Sequence, residues 1–244
     1  MLPPLAENKQ NGRSADRVYD AVKSMAITYG IRPGERINEV DLAKQLNVSR
    51  TPLREALNRL VTEGFLTTQL NKGFFARRLD PNEVFNLYEF RSAVESAAVS
   101  IACERATKQE LQAIEKFVLA SKDKKDDVLA ISLLKLDEEF HEHLARATHN
   151  DEFVHTIRGI NARIHFVRWI DMQSGRRVHT QNEHLQIVQA LKKRDVDSAA
   201  RLMRDHISRR LDQIVEVIRA GFAEIYMGNN LASHLEGIGQ GGSI

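Results

Sequence analysis

The sequence predicts a mainly α protein in two parts, an N-terminal winged helix-turn-helix followed by an all-helical bundle. Three observations carry this reading. Short amphipathic segments fill the first 79 residues and end in two strand-like stretches, FLTTQL and FFARRL, joined at Asn71, Lys72 and Gly73. Beyond Asp80 nothing alternates as a strand does, and apolar residues recur instead every three or four positions. Charge is unevenly placed as well: residues 1–79 carry 13 Lys/Arg against 8 Asp/Glu, whereas residues 80–244 carry 22 against 25, so the basic excess sits with the winged part.

Composition excludes several classes. With 244 residues and 42% hydrophobic content the chain can bury ordinary cores in one large or two modest domains. The start, MLPPLAENKQNGRS, lacks the apolar stretch of a secretory signal, and no apolar run approaches the roughly 20 residues needed to cross a bilayer. The single Cys103 cannot form an internal disulfide. The expectation is a folded protein of the cytoplasm with no membrane partner.

Each element has a local reason. Residues 1–12 read as a flexible start, and residues 13–79 as the first domain. A helix is expected from Arg13 to about Tyr29, with Val18, Ala21, Val22, Met25 and Ala26 on one stripe, before a turn at Pro33 and Gly34. Asn38 can cap a second helix that turns Leu42, Ala43 and Leu46 inward. In the third, VSRTPLREALNRL, the residues Leu53, Ala56, Leu57 and Leu60 share one face and Arg50, Arg54 and Asn58 the other. Ser49 or Thr51 can cap it, and Pro52 is tolerated in the first turn, where its missing N–H has no partner to lose. Gly64 suits the helix end, and the Asn71-Lys72-Gly73 turn needs positive φ. In this geometry the third helix lies in the major groove and the hairpin rides on the backbone or minor groove. Arg50 and Arg54 can then reach guanine edges or phosphates, and Ser49 and Thr51 phosphates. A solvated charged face would explain the arginines alone, but not the complete helix-and-wing context.

The second domain, residues 80–220, opens on DPNE, with Asp80 as N-cap, Pro81 in the first position and Glu83 as capping-box partner. Helices are expected near 81–105, 108–121, 126–148, 151–172, 178–193 and 196–219, and residues 221–244 read as a disordered tail. Within LLKLDEEFHEHLARATHN, Asp137 and His141 are four apart and share a face with Leu133, Leu134, Phe140 and Leu144, whereas His143 points to solvent and Glu138, Glu139 and Glu142 lie off that face. His184 stands on the stripe of Ile187, Val188 and Leu191, and His206 on that of Ala199, Leu202 and Met203, with Asp195 or Asp197 capping a helix between them. Three histidines and a carboxylate suit a divalent transition metal with positions left open. Hydrogen-bonded core histidines are the alternative that spacing leaves standing. Arg91, on the stripe Leu87, Val94, Ala98 and Ile101, points inward, either to fork a carboxylate or to pair with Glu95 one turn away.

The run LAKQLNVSRTPLREALNRLVTEGFL, followed by NKGFF, resembles the DNA-binding domain of GntR-type bacterial transcription regulators of the FadR branch over about residues 14–79, and VSRTPLREAL is close to that family's signature wording. The resemblance implies that Ser49, Arg50, Thr51 and Arg54 make the recognition-helix contacts and Lys72 and Gly73 those of the wing tip. Val40 stands where some members of the branch place an arginine, so no base contact is expected there. Residues 80–219 resemble the FCD effector domain, and DEEFH, EH and DHI match the places where its metal-containing members supply Asp, His, His and His. That implies a divalent metal, zinc or nickel, held by Asp137, His141, His184 and His206 and anchoring a small carboxylate, with Arg91 as second anchor. It also implies a homodimeric regulator, most often a repressor, on a double-stranded DNA operator. A metal-dependent enzyme acting on a small acid is the rival, but HEHLA is not HExxH and no general base faces inward, so no enzyme is expected.

Overall fold

The structure, a computed structural model, describes residues 9–122, 130–173, 177–208 and 211–227. It divides between Arg78 and Leu79 into two compact units. The first contains α1 (Lys9–Ile27), α2 (Glu39–Gln45), α3 (Arg50–Thr62), β1 (Leu66–Gln69) and β2 (Gly73–Ala76). Helix α1 packs on α3, and Val18 and Val22 join Leu53, Leu57 and Leu60 in a core almost without solvent. Asn38 caps α2 by accepting from the Val40 and Asp41 amides. Ser49 takes the N-cap position of α3, yet its side chain makes no capping bond. The hairpin pairs Leu66 with Ala76 and Gln69 with Gly73, and the turn carries positive φ at Asn71 and Gly73, as its sequence requires. The chain at 35–37 adds to the outer side of β2: the Ala76 amide donates to Glu35 O and the Ile37 amide to Phe74 O, which the sequence reading did not foresee.

Helix α1 begins at Lys9, inside the segment expected to be flexible; residues 1–8 of that segment lie outside the described residues.

The second unit contains α4 (Pro81–Arg105), α5 (Lys108–Lys122), α6 (Ala130–Arg146), α7 (Asp151–Gln173), α8 (Arg177–Lys193), α9 (Val196–Ile207) and α10 (Leu211–Met227). Asp80 caps α4 through the Asn82 and Glu83 amides, and Asp195 caps α9 through Ser198. Helix α4 is the spine: it packs against α6, α7, α8, α9 and α10. Two expectations need correction. The single helix expected over 196–219 breaks at Ser208, whose extended backbone ends α9 while its hydroxyl donates to Arg204 O; no glycine or proline marks the place. The tail expected from 221 overlaps α10, which runs on to Met227, and its remainder lies outside the described residues, as do residues 126–129 of the expected third bundle helix. Gly221 fits α10 closely to α7, since a Cβ there would lie 2.9 Å from Phe166 Cε1. Among the described residues no helix is long and apolar enough to cross a membrane.

Candidate metal centre and nucleic-acid interface

Amphipathic spacing delivers the donors. Asp137 and His141 lie one turn apart on the inner face of α6, His184 on that of α8, and His206 in the last turn of α9. All four are buried, and one ligand atom from each falls within 4.8 Å of the others. His184 Nε2 lies 3.2 Å from His206 Nε2, which lies 3.3 Å from His141 Nε2. Asp137 Oδ1 is 3.3 Å from His184 Nε2, and Oδ2 is 3.7 Å from His141 Nε2. Donors held about 2.0–2.1 Å from a tetrahedral ion are separated by about 3.3–3.4 Å, a spacing that His206 already keeps to His184 and His141 and that Asp137 Oδ1 keeps to His184.

The protons point the same way. His141 Nδ1 lies 2.5 Å from Glu95 Oε2 and His206 Nδ1 lies 2.8 Å from Glu183 Oε2, which favours the proton on Nδ1 and leaves each Nε2 lone pair facing the centre. Burial, which outweighs the neighbouring Glu95, pushes His141 down to about 3, and burial likewise takes His184 down to about 4 despite the hydrogen bond with Asp137. These imidazoles are neutral at pH 7, the form that binds metal. Burial works to raise the Asp137 carboxyl, but Arg168 beside it and the hydrogen bond with His184 hold it well below the usual range. Neutral lone pairs converging on a carboxylate repel one another unless a cation or a proton stands among them. The residues therefore fit a divalent ion.

A cavity of about 40 Å³ opens beside this set, bordered by Tyr88, Arg91, Asp137, His141, Arg168 and His206 among others. A water needs roughly 10–15 Å³, so the space takes about three or four such groups. Arg91 is divided. Its Nε donates to Glu95 Oε1 at 2.6 Å, which is the internal ion pair, while its buried Nη2 has no hydrogen-bond partner. A buried guanidinium N–H without an acceptor is costly, and an anion in the cavity is the natural remedy.

In the first unit the start of α3, the start of α2 and the hairpin turn form a cleft bordered by Arg36, Glu39, Val40, Arg50, Arg54 and Lys72, with Gly73 at its edge. Ser49, Arg50, Thr51 and Arg54 are exposed, as is Lys72. Arg54 Nε lies 3.4 Å from Glu39 Oε2. Four cations around one exposed cleft, with the protected N-terminus of a helix, form a surface suited to a polyanion.

Comparison with known proteins decides the family. Residues 14–76 match the model of bacterial regulatory proteins of the gntR family, and residues 86–209 match the FCD domain. The chain belongs to the GntR family. This GntR regulator is 53% identical over 206 residues to the Nta operon transcriptional regulator of Aminobacter aminovorans, covering 84% of this chain and 97% of that one. It is 30% identical over 205 residues to the HTH-type transcriptional regulator YdhC of Bacillus subtilis, at 83% and 92% coverage. Its fold is shared by E. coli McbR/YncC, with a TM-score of 0.61, 19% identity and coverage of 88% and 98%. A GntR regulator from Rhodococcus sp. RHA1 shares it as well, with a TM-score of 0.60, 21% identity and coverage of 84% and 98%. The chain is thus a DNA-binding transcription regulator and not an enzyme.

Some residues of the GntR regulator's sites escaped the sequence reading. Arg168 donates to Asp137 Oδ2 and to Asn161 Oδ1; it falls on the stripe of Ile157, Asn161 and Ile164, the same signal that singled out Arg91. Glu183 and the second bond of Glu95 had no signal, because both are contacts between helices. Arg36 borders the cleft through the strand-like segment that went unforeseen, and Glu39 from the first position of α2. His143, expected in solvent, is half-buried with its ring edge-on to Phe117 at 4.9 Å. Glu138, expected off the inner face, is half-buried and lies 3.1 Å from His165 Nδ1 and 3.4 Å from Arg168 Nη1.

Proposed function

We propose that this GntR regulator is a cytoplasmic, homodimeric repressor whose grip on its operator is set by a small carboxylate bound beside a divalent metal, zinc or nickel, in the helical unit. The observation that carries it is the cluster of the Asp137, His141, His184 and His206 donors, three of which, Asp137, His141 and His206, border one cavity with Arg91, whose Nη2 is unsatisfied. Imidazole ligands suit both metals. The bound ion supplies a positive, coordinatively open centre for one carboxylate oxygen. Arg91 gives the anion a second, directional anchor, Arg168 keeps Asp137 ionised and oriented, and Phe140, stacked on the His184 ring at 3.8 Å, fixes that imidazole's plane.

On the DNA side Arg50 and Arg54 read base edges or phosphates, Ser49 and Thr51 bind phosphates, and Lys72 and Gly73 carry the wing along the backbone. A dimer follows from the energetics of reading, since one such module covers only a few base pairs and symmetric half-sites multiply the affinity. Control requires that the anion bind the DNA-competent and DNA-incompetent arrangements with different affinity.

The test is a thermal-shift survey of acetate, lactate, malonate and citrate against zinc-loaded, nickel-loaded and chelated protein, paired with operator binding. A ligand at 100 times its Kd stabilises by about 2.7 kcal/mol. The reading expects such a shift in loaded protein, its loss after chelation, and operator binding that survives chelation without its response to the acid. Equal shifts with and without metal would overturn it. On the DNA side, Lys72→Ala is expected to weaken operator and unrelated duplex alike and to reduce the slope of log affinity against log salt by about one. A changed sequence preference in that variant would remove the wing from the backbone role.

A further inference from the structure

Glu95 stands between the two halves of the site. It lies on α4 one turn beyond Arg91 and is 1% exposed. Its two oxygens serve different partners: Oε1 accepts from Arg91 Nε at 2.6 Å, and Oε2 lies 2.5 Å from His141 Nδ1. Neither bond is to solvent, so each oxygen has a fixed task.

We propose that Glu95 is a positioning residue that ties metal capture at His141 to anion capture at Arg91, making the two a single linked equilibrium. This rests on the metal-and-carboxylate reading above. Two consequences of its bonds carry the inference. By accepting the Nδ1 proton, Glu95 fixes the His141 tautomer in which Nε2 faces the other donors unprotonated. By accepting from Arg91 Nε, it sets the plane of the guanidinium and leaves Nη2 as the atom available to an anion. The halves then influence each other through one carboxylate. An anion on Nη2 draws on the same cationic charge that compensates Glu95, so more of the Glu95 charge falls on the Nδ1 proton and His141 becomes the stronger donor to metal. Linkage is reciprocal, and metal at His141 strengthens anion binding at Arg91 to the same extent.

Glu95→Gln separates this role from simple charge compensation. Arg91 Nε only donates, so it takes the amide oxygen, and the amide NH₂ is left facing His141 Nδ1. That nitrogen must then accept, and the proton moves to Nε2, pointing at the metal. Two measurements on the full chain test this. Zinc affinity by chelator competition is expected to fall about 10- to 100-fold in Glu95→Gln, and acetate is expected to tighten zinc in wild type but not in the variant. In metal-free wild type labelled with ¹⁵N-histidine, long-range ¹H–¹⁵N correlation is expected to show His141 protonated on Nδ1, which requires no variant to fold. Zinc affinity in Glu95→Gln within about twofold of wild type, or His141 protonated on Nε2 in wild type, overturns the inference alone. Wild-type protein that takes up neither zinc nor nickel overturns the metal reading and this inference together.

Discussion

Replacing His184 or His206 with alanine is expected to reduce the metal content of the purified regulator and to lower its melting temperature. Three helices supply the four donors, so an ion would bind the folded bundle and have little to hold in the unfolded chain. Metal at 1,000 times its Kd contributes about 4 kcal/mol. At about 2–4 °C per kcal/mol for a chain of this size, its loss lowers the melting point by roughly 8–16 °C. Elemental analysis and melts with and without chelator check both parts. The chelated samples separate this account from ordinary core histidines. Without metal the cost of His206→Ala is limited to the lost packing of the ring and its bond with Glu183, so the variant is expected to lose less stability in chelated protein than in loaded protein. An equal loss of stability with and without metal, or unchanged metal content, returns the four residues to the status of core polar groups.

Arg50→Ala and Arg54→Ala are each expected to cost about 1–3 kcal/mol of operator binding, roughly 5- to 150-fold, with no change in melting temperature. Both side chains are exposed and take no part in the core of Leu53, Leu57 and Leu60, so stability and reading are separable on α3. The measurement is binding to operator and to unrelated duplex at one salt concentration. Arg54 is the more informative variant because Glu39 sits against it: a base contact there must compete with or use that carboxylate. Wild-type affinity in both variants would leave the basic cleft without its proposed ligand.

What the sequence made legible follows from the range of each interaction. Capping and turn chemistry are local, and so Asp80 with Pro81, Asn38, and the Asn71-Gly73 turn could be read directly. Inward faces are set by spacing within one helix, which is why Asp137, His141, His184 and His206 could be collected before any fold was known. Contacts between helices were not legible. That Glu95 bonds His141, that Glu183 bonds His206, and that Arg168 bonds Asp137 depend on how α4, α6, α7, α8 and α9 are packed, and no spacing rule carries that information. The break at Ser208 was missed for a different reason: every residue of HISRRLDQ tolerates a helix, and the extended backbone at that serine is a tertiary choice.

That break gives His206 a particular position. The helix that carries His206 ends one residue beyond it, at Ile207, so that side chain stands in a final turn closed by the amide and hydroxyl of Ser208, both donating to Arg204 O. Terminal turns open at the least cost in a folded bundle, and their amides exchange with solvent first. An ion held at His206 would act as a clasp on that turn. Filling and emptying the proposed site would then be registered in whether the last turn of α9 is wound or frayed.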